Sequence, residues 1–263
     1  MNLTSPSEVK AWCIREGFHP NRVLGQNFLI DRNTLEAILD ASPLEKGGRV
    51  LEIGPGLGVL TEALASRGCL VTAIEKDPVL AARLSLDGVD VIAGDALDEI
   101  AKGTCDGIGV MVSNLPYQAG TRILLELALR GACRPESMTV LVQTEVAERL
   151  KAGPGSKTRG LSGVWIQLDY EVSIVREVPP SCFWPRPEIG SSVVRLKRHH
   201  LNDNLSESVR GTFARLTKRA FEHRRKQMGS IFKGIVESTL RPEALSNEDW
   251  LLLAIQLEKG KLI

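Results

Sequence analysis

Two short runs in this 263-residue chain have the residue types and spacing to do chemistry. The first is Val50-Leu51-Glu52-Ile53-Gly54-Pro55-Gly56-Leu57-Gly58. Here an apolar run opens into glycines. Glycine lets backbone approach a ligand closely where a helix N-terminus leaves N–H groups unbonded. The spacing, Glu-x-Gly-x-Gly-x-Gly, differs from the G-x-G-x-x-G of dinucleotide sites. Glu75 ends the next apolar run about twenty residues on, where a carboxylate can accept from both ribose hydroxyls. Asp95 follows a third run and could accept from an adenine amine. A glycine loop alone could be merely a tight turn. Joined to acids at two successive strand ends, it is read as a site for an adenosyl cofactor, S-adenosylmethionine.

The second run is Asn114-Leu115-Pro116-Tyr117. An adenine amine is a poor nucleophile because its lone pair is delocalised into the ring. Hydrogen bonds from that amine to the Asn114 side-chain oxygen and the Leu115 carbonyl would draw the nitrogen toward tetrahedral geometry and aim the lone pair for in-line transfer. Pro116 fixes the backbone so that the carbonyl faces the pocket. Tyr117 offers a face for an extruded base, worth about 1–3 kcal/mol. No metal and no strong base are needed. The plainer alternative is a strand-ending turn with a packed tyrosine.

Elements must hold these runs in place. Short apolar runs read as strands at 49–53, 70–74, 89–93, 109–113 and 138–142, and helical spacing falls at 57–66, 78–86, 121–130 and 145–151. Strands alternating with helices predict a parallel sheet covered on both faces. Runs at 170–178 and 191–196 lack an intervening helix and predict an antiparallel pair at the sheet's end. From Asn204 onward the pattern is helical only, and Ser246-Asn247-Glu248-Asp249 has the form of a capping box. The expected organisation is α/β, a Rossmann-like sheet at 1–198 with a helical lead-in at 1–46, then a small all-α domain at 199–263.

Composition bounds the partners. Hydrophobic residues are 43% and charged residues 25%, ordinary for a soluble globular chain. No apolar run approaches the roughly 20 residues of a membrane span, and Met1–Lys10 lacks the core of a signal peptide. Five scattered cysteines without a C-x-x-C pair read as reduced thiols in a cytoplasmic protein. Net charge is +1, yet between Arg186 and Gly234 twelve bases face four acids, so that span carries +8 and the rest −7. Such asymmetry suggests a polyanion-facing region, or else only a solvated basic face.

With these residues in hand, the chain resembles the bacterial small-subunit ribosomal RNA adenine dimethyltransferase family. The matching blocks are Leu24-Gly25-Gln26-Asn27-Phe28-Leu29-Ile30-Asp31, the loop from Glu52 to Thr61, Gly94-Asp95-Ala96-Leu97, and Asn114 to Tyr117. They continue with Gln143 to Leu150, Pro154 to Lys157, Phe183-Trp184-Pro185-Arg186-Pro187, Ser192 to Leu196, Ala220-Phe221 and Arg224-Arg225-Lys226. In family order they cover most of the chain from Arg22 to Lys226.

The resemblance implies that Asn27 and Leu29 close over the cofactor's methionine end, with Gly54 beneath it, Glu75 on the ribose and Asp95 on the adenine. Gln26, Glu52, Gly56, Gly58, Lys76, Ala96 and Asn114 complete the implied cofactor set. Phe183 would be a second stacking wall opposite Tyr117, unless it is a core phenylalanine beside prolines. Arg186, Arg195, Lys218, Arg219, Arg224, Arg225 and Lys226 would track rRNA phosphates. The implied activity is N6,N6-dimethylation of two adjacent adenines in a 3′-terminal hairpin of small-subunit (16S) rRNA, within a partly assembled small subunit and with a role in its biogenesis; nothing in the sequence forces more than a monomer. Arg159 stands where a tyrosine is usual, Gly190 where an aspartate is, and Met228-Gly229-Ser230 replaces leucine and asparagine. Two alternatives stay open: a large-subunit rRNA adenine methyltransferase of the antibiotic-resistance type, and a non-catalytic RNA-binding factor on the same fold. A DNA adenine methyltransferase usually begins its motif with aspartate.

Overall fold

The computed structural model describes residues 1–21, 24–129 and 134–260. Arg22, the expected helix end at Arg130 and Cys133 lie outside the described residues.

Five strands form the parallel part of a seven-stranded sheet: β2 (Arg49–Ile53), β3 (Leu70–Glu75), β4 (Val89–Ala93), β5 (Val110–Asn114) and β6 (Ser137–Gln143). β9 (Ser191–Arg198) joins β6 antiparallel, and β7 (Tyr170–Val178) closes the order β4-β3-β2-β5-β6-β9-β7. The chain builds outward from β2 in one direction, then returns to build from β5 in the other. A crevice must therefore open at the carboxyl ends of β2 and β5, the switch point of the sheet. The strands part there. β2 and β5 pair at Val50↔Val110 and Leu51↔Met111. Beyond that, the Ser113 hydroxyl bridges the widening gap, donating to the Ile53 carbonyl at 2.5 Å and accepting its N–H at 3.3 Å.

Between the strands run α3 (Val59–Ser66), α4 (Pro78–Arg83), α5 (Ala96–Lys102), α6 (Gly120–Leu129) and α7 (Thr144–Lys151). Two start where acids cap them: Asp77 accepts from the Val79 and Leu80 amides, and Asp95 from that of Leu97. α4 stops at Arg83, short of the expected Leu86, because Leu84 turns extended. Ahead of the sheet lie α1 (Pro6–Arg15), the two-residue strand β1 (Phe28–Leu29) and α2 (Arg32–Asp40). β1 pairs antiparallel with β8 (Phe183–Trp184), so the lead-in is stitched to the proline-rich loop between β7 and β9. Leu29, Leu35, Ile38 and Leu39 pack with Leu60, Leu64, Val71, Val112 and Leu141 in one apolar core.

Two compact units emerge, 1–147 with 173–198, and 148–172 with 199–263. The segment 148–172, which sequence periodicity groups with the sheet, is part of the second unit. That unit holds α8 (Leu161–Ile166), α9 (Glu207–Glu222), α10 (Met228–Ile231) and α11 (Asn247–Gly260), with Phe213, Leu216, Ala220 and Trp250 at its centre. The capping box ahead of α11 is realised: Ser246 Oγ accepts the Asp249 N–H at 3.0 Å, and Asp249 Oδ2 accepts the Ser246 N–H at 2.8 Å. Within it, Arg210 forks onto Asp169 at 2.8 and 3.1 Å.

The buried guanidinium of Arg159 donates to the Ala152 carbonyl, Gln167 Oε1 and Asn247 Oδ1. A charged side chain at this site thus serves the second unit's own packing. Among the described residues no helix is long and apolar enough to cross a membrane. Cys13, Cys69 and Cys105 are buried thiols and Cys182 is half-buried.

Candidate active site

The switch-point crevice measures ≈ 180 Å³ and gathers nearly the whole expected cofactor set: Gln26, Asn27, Leu29, Glu52, Gly54, Gly56, Glu75, Lys76, Asp95, Ala96 and Asn114. Leu115, Pro116 and Tyr117 line it too. Gly58 does not. It caps α3 at φ +92, and a Cβ there would lie 2.4 Å from Leu84 Cδ2. Its glycine is demanded by the turn, not by a ligand.

The loop is held from two sides. A Cβ on Gly56, at φ +60, would press within 3.1 Å of the Phe28 ring, so β1 can sit on the loop only because that side chain is missing. The Gly56 N–H donates to Glu75 Oε2 at 2.9 Å, and the Asp77 N–H to Oε1 at 2.8 Å. Glu75 is thereby fixed, each oxygen keeping a lone pair for a further donor. Burial raises its pKa; the Asp77, Gly56 and Lys76 amides oppose the rise, and the Asp77 charge adds to it.

Glu52 is 1% exposed, and its Oε2 has no hydrogen-bond partner. Desolvation pushes its pKa up to about 8; Thr61 pulls the other way and the nearby Glu75 charge adds to the rise. A buried polar atom without a partner on a crevice wall calls for a ligand that satisfies it. Protonated at neutral pH, this carboxyl can also donate. Opposite, Lys76 Nζ meets Asp95 Oδ2 at 2.8 Å, which holds the Asp95 carboxyl below its usual range.

The reacting edge is equally ordered. Asn114 Nδ2 donates to the Asn27 carbonyl at 3.1 Å, so its Oδ1 faces away as a free acceptor. Among the described residues no donor meets the Leu115 carbonyl, whereas that of Pro116 takes the Ala119 and Gly120 amides at 3.1 and 2.8 Å. Two acceptors thus belong to consecutive residues at the end of β5, both lining the crevice. Tyr117 OH meets Ser191 Oγ at 2.8 Å, and burial raises the phenol pKa. Gln26 is occupied structurally: Nε2 donates to Asp77 Oδ2 at 2.8 Å and Oε1 accepts the Asn21 N–H at 2.7 Å.

Other expected residues fall elsewhere. Phe183 is 2% exposed and packs in the core with Leu29 and Val178, outside the crevice walls. Its backbone pairs with that of Leu29 across β1·β8. Of the basic set, Arg186, Lys218, Arg219, Arg225 and Lys226 are exposed and Arg195 is half-buried. Arg224 is partly engaged within its own unit, donating to the Lys157 carbonyl and lying 3.7 Å from Glu243. Sequence reading missed Ser113, the Asn27 carbonyl and Ser191. The first two act through strand splay and backbone, which leave no residue signature.

A family model described as ribosomal RNA adenine dimethylase matches residues 17–247. The chain is 35% identical to the ribosomal RNA small subunit methyltransferase A of Chlamydia felis, over 96% of this chain and 95% of that one. It is 48% identical to the Deinococcus radiodurans protein of the same name, over 74% and 67%. Among solved structures it is similar to a dimethyladenosine transferase from Plasmodium falciparum, with TM-score 0.77 and 22% identity over 89% of this chain and 98% of that one. It is also similar to the 23S rRNA methyltransferase ErmE, with TM-score 0.65 and 25% identity over 88% and 100%. On sequence and fold together, the chain belongs to the ribosomal RNA adenine dimethylase family.

Proposed function

We propose that this enzyme dimethylates N6 of two adjacent adenines in a 3′-terminal hairpin of small-subunit rRNA, acting as a monomer on a partly assembled small subunit during its biogenesis. The observation that carries the chemistry is the pair of free acceptors, Asn114 Oδ1 and the Leu115 carbonyl, on the wall of the crevice that holds Glu75 and the glycine loop.

When bound, S-adenosylmethionine supplies an electrophilic methyl group. The residues fit it: Glu75 keeps free lone pairs for a ribose diol, Gly54 and Gly56 leave a wall without side chains, and Glu52 carries an unmet polar atom. Asn27 and Leu29 close the crevice from the lead-in, while Lys76 and Ala96 flank Asp95 at the adenine end. Asn114 Oδ1 and the Leu115 oxygen hold the two amine hydrogens of the target base and turn its lone pair outward. The proton on N6 becomes acidic as that nitrogen gains positive charge, so these two neutral acceptors suffice and no strong base is required. Tyr117 supplies the stacking face for the extruded base. Phe183 supports the lead-in from within the core. Arg186, Arg195, Lys218, Arg219, Arg225 and Lys226 track phosphates, with Arg224 bracing the second unit's loop.

The names carried by the relatives at 35% and 48% identity support the small subunit as target. The test is labelled methyl transfer to under-methylated small subunits, large subunits and naked RNA in parallel. Label in small subunits is expected. Label confined to large subunits would move the target to the other subunit, and none anywhere would leave a binding factor.

A further inference from the structure

Stacking uses only a face, and phenylalanine would present the same one. The hydroxyl of Tyr117 therefore needs its own explanation. Tyr117 follows β5, yet its oxygen meets Ser191 on β9, and β6 lies between those strands. The ring thus crosses the carboxyl end of β6, where Gln143 and Val142 share a small recess with it. Ser191 is 1% exposed, and its strand holds register with β6 from Ser137↔Lys197 through Gln143↔Ser191. Its hydroxyl is a point fixed by the sheet. The other end of the ring is fixed by the turn that the Pro116 carbonyl closes with Ala119 and Gly120. Burial keeps the phenol neutral and able to give or take a hydrogen bond.

We propose that Ser191 is a positioning residue for the target base: its hydroxyl pins the Tyr117 ring across the end of β6 in the orientation that receives an adenine. This rests on the stacking role given to Tyr117 above. A pinned ring has no rotamer freedom left to lose when the base arrives, so the contact acts on capture of RNA rather than on methyl transfer.

The test compares unaltered protein with Ser191→Ala, Tyr117→Phe and the double variant, measuring KM for small-subunit RNA and kcat separately. A second readout is independent of turnover. The chain has two tyrosines, Tyr117 and Tyr170, so protein labelled with [13C]tyrosine gives two ring environments. Each single variant is expected to raise KM about three- to tenfold with kcat within about twofold. The double variant is expected to be no worse than either single one, because the two hydroxyls act as one unit. In Ser191→Ala the Tyr117 ring signal moves while that of the buried Tyr170 stays, which also shows that the fold is intact. An unmoved Tyr117 signal, a KM unchanged in Ser191→Ala, or additive losses in the double variant would overturn the proposal. If the unaltered protein methylates no RNA, the stacking role falls and takes this proposal with it. Full transfer with a silent Ser191→Ala removes the positioning role alone.

Discussion

Burial in the crevice wall strips Glu52 of water and pushes its pKa up to about 8, with the nearby Glu75 charge adding to the rise and Thr61 opposing it. Its folded-state pKa of about 8 lies above the ordinary 4.5, so folded protein keeps a proton that the unfolded chain releases. The stabilisation is complete below the unfolded pKa and is lost as pH rises through the folded one. The free protein should therefore melt progressively lower between about pH 5 and about pH 9, and Glu52→Gln should flatten that slope. Glu75, shifted in the same direction, leaves a residual slope. A Glu52→Gln melting profile parallel to that of the unaltered protein would show that Glu52 is ionised in the folded state. The identity of these residues was legible in the sequence because spacing after a strand dictates which side chains meet at a sheet's edge. Their partners were not. That Asn114 Nδ2 finds the Asn27 carbonyl, 87 positions away, follows only from where β1 comes to rest.

At the scale of elements, the loop from Gly54 to Gly58 works because each glycine answers a different demand. Gly56 admits Phe28, whereas Gly58 turns the chain left-handed against Leu84. Gly58→Ala should destabilise the fold by about 1–3 kcal/mol, read as a lower denaturant midpoint with an unchanged slope. An unaltered midpoint would mean that the turn relaxes freely. A local signal such as the Ser246–Asp249 box is written within four residues and could be read directly. The β1·β8 ribbon could not, because 155 positions separate Phe28 from Phe183 and only two pairs join the strands. Aromatic residues beside prolines, such as Phe183, look alike in sequence whether they face a ligand or a core.

Across the whole molecule, counting charge located the basic region without saying which cations are available. Arg210 is bound in a fork to the buried Asp169, and Arg159 is sealed among carbonyl and amide oxygens. Lys218, Arg219, Arg225 and Lys226 remain exposed. Replacing Arg225 and Lys226 with alanine should lower the slope of log affinity against log salt by about 1 each, at little cost in stability. Arg210→Ala should instead destabilise the second unit by about 1.5–3 kcal/mol, since it removes charge-assisted hydrogen bonds from a buried carboxylate. Equal salt slopes before and after the Arg225 and Lys226 changes would remove that face from RNA binding.

The central claim is that the two acceptors at the end of β5 direct methyl groups to an adenine amine. Its most direct test is nucleoside mass spectrometry of RNA from under-methylated small subunits after reaction with unaltered protein or Asn114→Ala. The expected result is N6,N6-dimethyladenosine with unaltered protein, formed about 10²–10³ times more slowly by the variant. Methyl groups on any other atom, or undiminished dimethyladenosine from Asn114→Ala, would contradict it.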